Sequence, residues 1–495
     1  MNEVKPLRNT EIKYTQIFIN NQFINSVKGN TFADINPSNG TTIADIQAAE
    51  KPDIDKAVEA ARRAFHRDSI WSRMNASERG KYLFKLADLI ERDVAVLATL
   101  DTLDVGKPFK DAVNDIFSGA KFLRYFGGYA DKLCGQTVPI DDDYFAFTRL
   151  EPVGVCGIIL PWNFPLTLLC WKVGPALCAG CTLVIKPAEQ TPLSALHFAS
   201  LVAEAGLPPG VINVVPGFGP KAGAALAHHM NVDKISFTGS TKIGKLIMEA
   251  AATSNLKRTT LLLGGKSPCI VFADADVDFA VKMCHFGLFH NMGQCCTAAS
   301  RCYVQEEIYD EFVEKAVEFA KRKIIGDPFD PEVEHGPQVD SKAFHQILQL
   351  IESGKQEGAK LLCGGEAIVD SPGYYIQPTV FADVTDNMRI AKEEIFGPVQ
   401  QILKFKTLDE VIERANNTNY GLAASIFTKN FDNAIKFVNS VQAGTAWVNC
   451  HHVVCPQIPF GGYKESGIGR EHGWEGVKEY CEVKTVIMKT SVKRS

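Results

Sequence analysis

Short apolar runs alternate with amphipathic stretches through the middle of the chain. Val153–Leu160, Thr182–Ile185 and Val211–Val215 are largely apolar, which is typical of short strands buried on both faces. The stretches Leu193–Ala205 and Thr241–Ala251 place apolar residues at helical spacing. Because short strands that alternate with helices form parallel sheets through right-handed crossovers, this pattern predicts a parallel α/β domain. Ligands of such domains bind beyond the carboxyl ends of the strands.

A second series of strand-like runs follows Gly264. It includes Cys269–Phe272, Gln401–Phe405 and Ala423–Phe427, and it predicts a second α/β domain. The last such segment, Val483–Met488, alternates apolar and polar residues but has no domain of its own around it. We therefore expect it to add a strand elsewhere, for example across a subunit boundary.

Composition and charge exclude several classes of protein. The chain has 495 residues, of which 46% are hydrophobic and 22% charged, so it is globular and long enough for several domains. A net charge of −5 gives no reason to expect binding to nucleic acid or an anionic membrane. The apolar stretch Val153–Ile185 is interrupted by three prolines, which argues against a membrane span.

Cysteine usage indicates a reducing compartment. The 14 cysteines form no dense framework, and the first eighteen residues contain no apolar leader segment, so we expect reduced thiols and a cytoplasmic protein. Cys178 and Cys181 have the spacing of a metal-binding pair, but no second pair accompanies them. We expect both to be buried as small apolar side chains, and we predict no metal site.

Two glycine-containing turns are candidates for binding a phosphate. Gly217-Phe218-Gly219, with Gly223 after it, lies between a predicted strand and helix, but its spacing departs from the usual dinucleotide fingerprint. It is either a nucleotide turn or simply a tight turn. Thr238-Gly239-Ser240 also joins a strand to a helix, where it can cradle a phosphate or merely cap the helix.

Two further polar groups are candidates for catalysis. The vicinal cysteines Cys295 and Cys296 stand among small residues in a predicted loop, so one of them could present a free thiolate or both could be structural. Asn163 is a polar side chain in an apolar loop, where it is either an oxyanion donor or a turn former.

Together these motifs resemble the aldehyde dehydrogenase superfamily, and most closely its class 1 and class 2 members. The resemblance runs from about Gln16 to the end of the chain without a large gap. The matching motifs are PWNFP (161–165), KPAEQTP (186–192), PGFG (216–219), FTGST (237–241), LGGKSP (263–268), GQCC (293–296), EEIFGPV (393–399) and PFGGYKESG (459–467).

The resemblance implies the architecture and the assembly. It implies an α/β fold with a doubly wound, Rossmann-type NAD-binding domain (1–129 and 153–264) and a second α/β domain that carries the catalytic cysteine (265–465). A small β arm (130–152 and 480–495) would mediate oligomers, and the expected assembly is a homotetramer.

The resemblance also implies roles for individual residues. Cys296 would be the nucleophile that attacks a small aldehyde, while the Asn163 amide and the Cys296 N–H would hold the oxyanion. NAD would be the cofactor, because the acidic Glu189 suits a ribose hydroxyl better than a 2′-phosphate. The residues that match the cofactor site are Trp162, Lys186, Glu189, Gly219, Gly239, Ser240, Gly244, Glu394 and Phe396.

The chain departs from the family at the general base. The family has a glutamate before L-G-G-K, whereas here that position holds Leu262. A leucine cannot accept a proton from water or from Cys296, and loss of a positioned base costs about 10²–10⁴ in rate. Lys172 and Glu471 match family positions implicated in proton transfer, but neither replaces the lost carboxylate directly. The substrate channel also differs. Family members near the class 2 type often have an aromatic residue where Val454 stands and a serine where Ile458 stands.

Leu262 leads to three hypotheses. The first is a structural eye-lens protein that resembles the Ω-crystallins of molluscs, with little or no dehydrogenase activity, and is therefore not an enzyme. The alternative is an active NAD-dependent aldehyde dehydrogenase that uses another base. The third is a protein that binds NAD or an aldehyde without turnover.

Overall fold

The protein consists of two large sheets with helices on both faces, and two small sheets. The computed structural model describes residues 4–8, 10–369 and 371–490. The ends of the predicted NAD-binding domain and arm, at residues 1–3 and 491–495, lie outside the described residues. In chain order the strands are β1 (Ile17–Ile19), β2 (Gln22–Ile24), β3 (Thr31–Ile35), β4 (Thr42–Gln47), β5 (Thr137–Val138), β6 (Tyr144–Pro152), β7 (Val155–Ile159), β8 (Thr182–Lys186), β9 (Ile212–Val214), β10 (Lys234–Thr238), β11 (Arg258–Leu262), β12 (Pro268–Val271), β13 (Arg301–Gln305), β14 (Lys360–Cys363), β15 (Thr379–Ala382), β16 (Val399–Phe405), β17 (Ala423–Phe427), β18 (Thr445–Val448), β19 (Gly467–Ile468) and β20 (Cys481–Lys489).

The helices fill the connections between these strands. They are α1 (Lys51–Phe65), α2 (Ile70–Arg73), α3 (Ala76–Arg92), α4 (Val94–Val105), α5 (Phe109–Gly127), α6 (Pro165–Ala179), α7 (Leu193–Ala205), α8 (Ala224–His228), α9 (Thr241–Thr253), α10 (Val277–Phe289), α11 (Tyr309–Arg322), α12 (Ser341–Gln356), α13 (Arg389–Lys392), α14 (Leu408–Asn416), α15 (Phe431–Ser440) and α16 (Gly473–Lys478).

The first large sheet has the order β19-β11-β10-β7-β8-β9-β1-β2, and its five central strands are parallel. Alternate residues of β7 pack on opposite faces: Cys156 and Ile158 join one apolar cluster, while Val155 and Ile159 join another. Since helices cover both faces, the strands are apolar throughout. The α/β fold with a Rossmann-type parallel sheet is therefore confirmed.

The second large sheet has the order β14-β15-β16-β13-β12-β17-β18 and is parallel except at β14. The strands predicted at Cys269–Phe272, Gln401–Phe405 and Ala423–Phe427 lie at its centre as β12, β16 and β17, so this part of the prediction is confirmed.

The last strand pairs far away in sequence. β20 runs antiparallel to β6, from Cys481 against Pro152 to Lys489 against Tyr144, in the sheet β20-β6-β5. The predicted strand at Val483–Met488 is confirmed. Val483, Ile487 and Met488 are exposed in the single chain. No helix in the described part of the chain is long and apolar enough to span a membrane.

A close crossing of two helices positions the wall of the site. Gly80 of α3 packs against Gly127 of α5, and a Cβ on Gly80 would lie 2.5 Å from the Gly127 carbonyl oxygen. Because that atom belongs to the backbone, only glycine permits this distance. α5 packs in turn on α6, which contributes Trp171 to the site described below.

Replacing Gly80 tests this crossing. We expect Gly80→Ala to lower the free energy of unfolding by about 1–3 kcal/mol through overpacking, despite the higher helix propensity of alanine. Gly128→Ala is the control, because a Cβ there makes only an ordinary 3.6 Å contact. Thermal unfolding followed by circular dichroism provides the measurement. Equal midpoints for both variants would contradict this role.

Candidate active site

One cleft lies beyond the carboxyl ends of β7, β10 and β11. Its volume is about 680 Å³. This is the edge at which parallel sheets bind ligands. The predicted site residues that line it are Trp162, Asn163, Gly239, Ser240, Leu262, Cys296, Glu394 and Phe396. The predicted residues that do not line it are Lys186, Glu189, Gly219 and Gly244.

The loop before the vicinal cysteines has a strained backbone. Asn291, Met292 and Gly293 have φ values of 49°, 58° and 73°, in the left-handed region. A Cβ on Gly293 would lie 2.1 Å from the carbonyl oxygen of Gly397, so only glycine fits there. The cysteine loop therefore packs directly against the segment that bears Glu394, and such strain is typical of functional sites.

The two cysteines have different environments. Cys295 is buried, and its Sγ lies 3.3 Å from Thr297 Oγ1. Cys296 is half-buried and lines the cleft. A hydrogen bond with Cys295, burial and the nearby Glu394 carboxylate all raise the pKa of the Cys296 thiol well above its ordinary value. Cys296 is thus the accessible sulfur of the pair, and without a ligand it is held as a thiol.

Asn163 is fixed against the cysteine loop. Its side-chain Nδ2 donates to the Gln294 backbone carbonyl oxygen at 3.0 Å, and its backbone carbonyl oxygen accepts from Asn291 Nδ2 at 2.9 Å. It is only 4% exposed. Since an amide has two N–H groups, the second is not used in this contact, and both Asn163 and Cys296 line the cleft.

Leu262 is the last residue of β11. It is 2% exposed and belongs to an apolar cluster that includes Trp171 and Phe460. These aromatic residues, with Phe164 and Val454, line the cleft, whereas Ile458 does not. A carboxylate is therefore absent at this position, and its place is packed with apolar atoms.

Lys172 and Glu471 form a buried ion pair. Lys172 Nζ contacts Glu471 Oε1 and lies 3.1 Å from Ser236 Oγ. Glu471 Oε2 is buried and has no hydrogen-bond partner among the described residues. Neither side chain lines the cleft, so the pair does not face Cys296.

Lys186 and Glu189 form a second polar group at the end of β8. Lys186 Nζ lies 3.1 Å from Glu189 Oε2 and 2.8 Å from the Pro187 carbonyl oxygen. The methylene chain of Lys186 lies 3.6 Å from the Cβ position of Gly223, in the π-helical turn that begins at Gly219. A Cβ on Gly219 would meet nothing within 4 Å, so open space lies beside this pair.

The N-terminus of α9 faces the cleft. Ser240 Oγ accepts from the Ile243 N–H at 3.4 Å and caps the helix. A Cβ on Gly244 would lie 2.6 Å from the Leu263 side chain, so glycine lets α9 approach the end of β11. Across the cleft, Trp162 and Phe396 meet edge to face, with ring centroids 5.2 Å apart.

Glu394 enters the cleft from the second sheet. Its Oε1 accepts from the Gly265 N–H at 2.9 Å. Burial raises the pKa of its carboxyl group to about 7. Sequence reasoning gave this residue only a cofactor role, because neither the burial nor the contact with Gly265 is visible in a motif.

Several polar residues of the cleft were missed or left without a role, among them His452, Asp115 and His290. His452 Nδ1 lies 3.1 Å from Thr297 Oγ1, its Nε2 donates to the Gly287 carbonyl oxygen at 2.9 Å, and burial lowers its pKa well below the ordinary value. Asp115 pairs with Lys107 at 2.6 Å, and His290 lies on the same wall. The adjacent histidines His451 and His452 are a visible feature of the sequence, whereas nothing in the sequence marks Asp115.

Thiol labelling tests the difference between the two cysteines. With iodoacetamide at pH 7, we expect modification at Cys296 but not at the buried Cys295, and more slowly than at the exposed Cys134, because the raised pKa of Cys296 leaves little thiolate. Peptide mass spectrometry gives the rates, which should rise with pH. Cys296→Ser should lose the modification and Cys295→Ser should keep it. Labelling of Cys295 first would contradict the structure.

Known proteins similar to this chain include several that are named dehydrogenases. Retinal dehydrogenase 2 from Homo sapiens is 60% identical over 491 residues, which cover 99% of this chain and 95% of the relative. Aldehyde dehydrogenase 1A1 from Oryctolagus cuniculus is also 60% identical over 491 residues, which cover 99% of each chain.

These relatives correct the first hypothesis. The prediction of a structural eye-lens protein with little or no dehydrogenase activity was wrong, as was the prediction that the chain is not an enzyme, because relatives 60% identical over nearly the whole chain are named dehydrogenases. The resemblance to Ω-crystallins receives no support from them. One substitution, Leu262, was given more weight than the rest of the cleft, which keeps Cys296, Asn163 and a carboxyl group at Glu394.

Solved structures and a family model agree with this correction. The NAD+ complex of an aldehyde dehydrogenase from Bacillus cereus superposes with a TM-score of 0.95 at 47% identity, covering 96% of this chain and 97% of that one. The model of the aldehyde dehydrogenase family matches residues 23–486. The chain belongs to the aldehyde dehydrogenase family.

Proposed function

We propose that this protein is an NAD-dependent aldehyde dehydrogenase that oxidises an aldehyde to a carboxylic acid. One observation carries the proposal: an accessible cysteine and an oriented amide, Cys296 and Asn163, lie in the same cleft as the capped N-terminus of α9. A thiol beside hydrogen-bond donors suits attack on a carbonyl carbon. The relatives named dehydrogenases support this activity.

In the proposed mechanism, Cys296 Sγ attacks the aldehyde carbon and forms a thiohemiacetal. The free N–H of Asn163 and the Cys296 backbone N–H hold the oxyanion, and Asn163 keeps its orientation through Gln294. When bound, NAD supplies the hydride acceptor. Loss of hydride leaves a thioester on Cys296, which water must hydrolyse to release the acid.

The residues present fit NAD. The Lys186 ammonium and Glu189 carboxylate, side by side next to open space at Gly219, suit the hydroxyl groups of a ribose. The free N–H groups at the start of α9 suit a pyrophosphate. Gly239 and Ser240 line the cleft there, Ser240 caps the helix, and Gly244 lets α9 pack close to the end of β11. Phe396 and Glu394 would contact the nicotinamide ring and its ribose, and Trp162, which packs against Phe396, would contact the pyrophosphate. The negative Glu189 disfavours the 2′-phosphate of NADP.

The leucine at position 262 indicates which step of the reaction is slow. Since no carboxylate lies at this position, thioester hydrolysis lacks the base that the family uses there, whereas attack and hydride loss keep their groups. We therefore propose that hydrolysis of the Cys296 thioester limits turnover.

The proposal also covers the division of the chain into domains, the oligomeric state and the cellular compartment. We assign residues 1–129 and 153–264 to NAD binding, 265–465 to catalysis and 130–152 with 480–495 to the arm. The exposed Val483, Ile487 and Met488 on the edge strand β20 support a homotetramer in which this strand meets another subunit. The 14 unpaired thiols support a cytoplasmic location.

Absorbance at the NADH wavelength after mixing with NAD and an aldehyde tests the activity. We expect a stoichiometric burst of NADH followed by a slower steady rate, because hydrolysis is the slow step. Cys296→Ser should abolish both phases. Leu262→Glu should raise the steady rate, because it restores a carboxylate at this position, and leave the burst size unchanged. Absence of NADH in both the wild type and Leu262→Glu would overturn the proposed function.

A further inference from the structure

We propose that Glu394 is the general base of thioester hydrolysis in this protein, in place of the carboxylate missing at Leu262. The inference rests on the proposed function and deepens it. It gives Glu394 a second task besides binding the ribose of the cofactor.

The backbone at Gly264 and Gly265 brings the Glu394 carboxyl group next to the cysteine loop. Gly265 N–H donates to Oε1 at 2.9 Å, and a Cβ on Gly264 would lie 2.3 Å from Oε2. A Cβ on Gly265 would in turn lie 2.4 Å from the Cys296 carbonyl oxygen. A single glycine therefore separates the carboxyl group from the backbone of Cys296. Any larger residue at either glycine would push the two apart.

Three carboxyl groups line the cleft, and Glu394 is the one whose only hydrogen bond comes from the backbone rather than from a side chain. Asp115 is paired with Lys107 at 2.6 Å. Asp340 caps α12 through the Ala343 N–H and also accepts from Gln190. Glu394 uses only Oε1, and among the described residues no hydrogen bond is found to its Oε2.

The other basic groups near Cys296 are less suitable. His452 engages both ring nitrogens, and burial makes it a weak base. Glu471 is tied to Lys172 and does not face the cleft. This leaves Glu394 as the carboxylate able to bind and activate a water molecule beside the thioester.

The surrounding charges support a base that works near neutral pH. Burial raises the pKa of Glu394 to about 7, while the Gly265 N–H and the charge of Lys266 act in the opposite direction. The other titratable groups near it are Glu393, Tyr420 and Cys296. Lys266 is itself buried, with its pKa lowered to about 7. Because the carboxylate form acts as base, the hydrolysis rate should rise as the pH increases through about 7.

The chemical step balances without a further reactant. The water oxygen bonds to the thioester carbon, and its proton passes to Glu394 Oε2. The carbon–sulfur bond then breaks, and Cys296 leaves as the thiolate while the carboxylic acid is released. Since Glu394 cannot hold a ribose hydroxyl and this proton at once, hydrolysis follows withdrawal of the reduced cofactor from Glu394.

Acylation by p-nitrophenyl acetate without NAD isolates this step. The acetyl group on Cys296 is followed by intact-protein mass spectrometry, which gives its rate of loss. We expect Glu394→Gln to form the acetyl adduct normally but to lose it about 10²–10⁴-fold more slowly, without the dependence on pH near 7. Glu393→Gln is the control, because this exposed neighbour contacts Arg389 and should leave the rate unchanged.

Two further comparisons complete the test. Leu262→Glu/Glu394→Gln should regain rapid loss of the adduct, which also shows that the glutamine is tolerated in a folded protein. Added NAD should slow the loss in the wild type but not in Leu262→Glu. An unchanged rate in Glu394→Gln would overturn the base assignment alone. Failure of the wild type to form any adduct on Cys296 would overturn the proposed function together with it.

Discussion

The site depends on three backbone segments that meet without side chains between them. Gly264 and Gly265 follow β11, Gly293 precedes the cysteines, and Gly397 follows Glu394. At Gly264, Gly265 and Gly293, a Cβ would lie within about 2.5 Å of atoms in the facing segment. These contacts bring the end of the first sheet, the proposed nucleophile Cys296 and the Glu394 carboxyl group into the same cleft. Since the facing atoms at Gly265 and Gly293 belong to the backbone, no rotamer change relieves a larger residue there.

The same arrangement explains why loss of one carboxylate need not end catalysis. Leu262 is packed among apolar residues and cannot move a proton, so the first sheet contributes no base. Glu394 reaches the cleft from the opposite side, and its burial gives it a pKa of about 7, near the working pH of a base. Which carboxyl group can act as a base in the cleft therefore depends on the burial and the contacts of each group, and not on a single motif position.

The error about activity has a clear physical origin. A motif compares positions one at a time, so the change at Leu262 appeared decisive. The cleft is shared by two sheets, and its carboxyl groups come from segments far apart in sequence: Asp115, Asp340 and Glu394. Asp115 pairs with Lys107, and Asp340 accepts from Gln190, so only the folded structure distinguishes Glu394, which no side chain binds, from the other two.

The sequence by itself determined the α/β fold, the central strands of both sheets and the strand near residue 485, because hydrophobic periodicity reflects burial directly. Its motifs also indicated Cys296 and Asn163. The tertiary structure alone decided that β20 pairs with β6, that Cys296 is more exposed than the buried Cys295, and that Glu394 touches Gly265. The pairing and the contact depend on distances between segments that are remote in sequence. The exposure of each thiol, like the raised pKa of Glu394, depends on how the folded chain excludes water. No local pattern of residues encodes either of them.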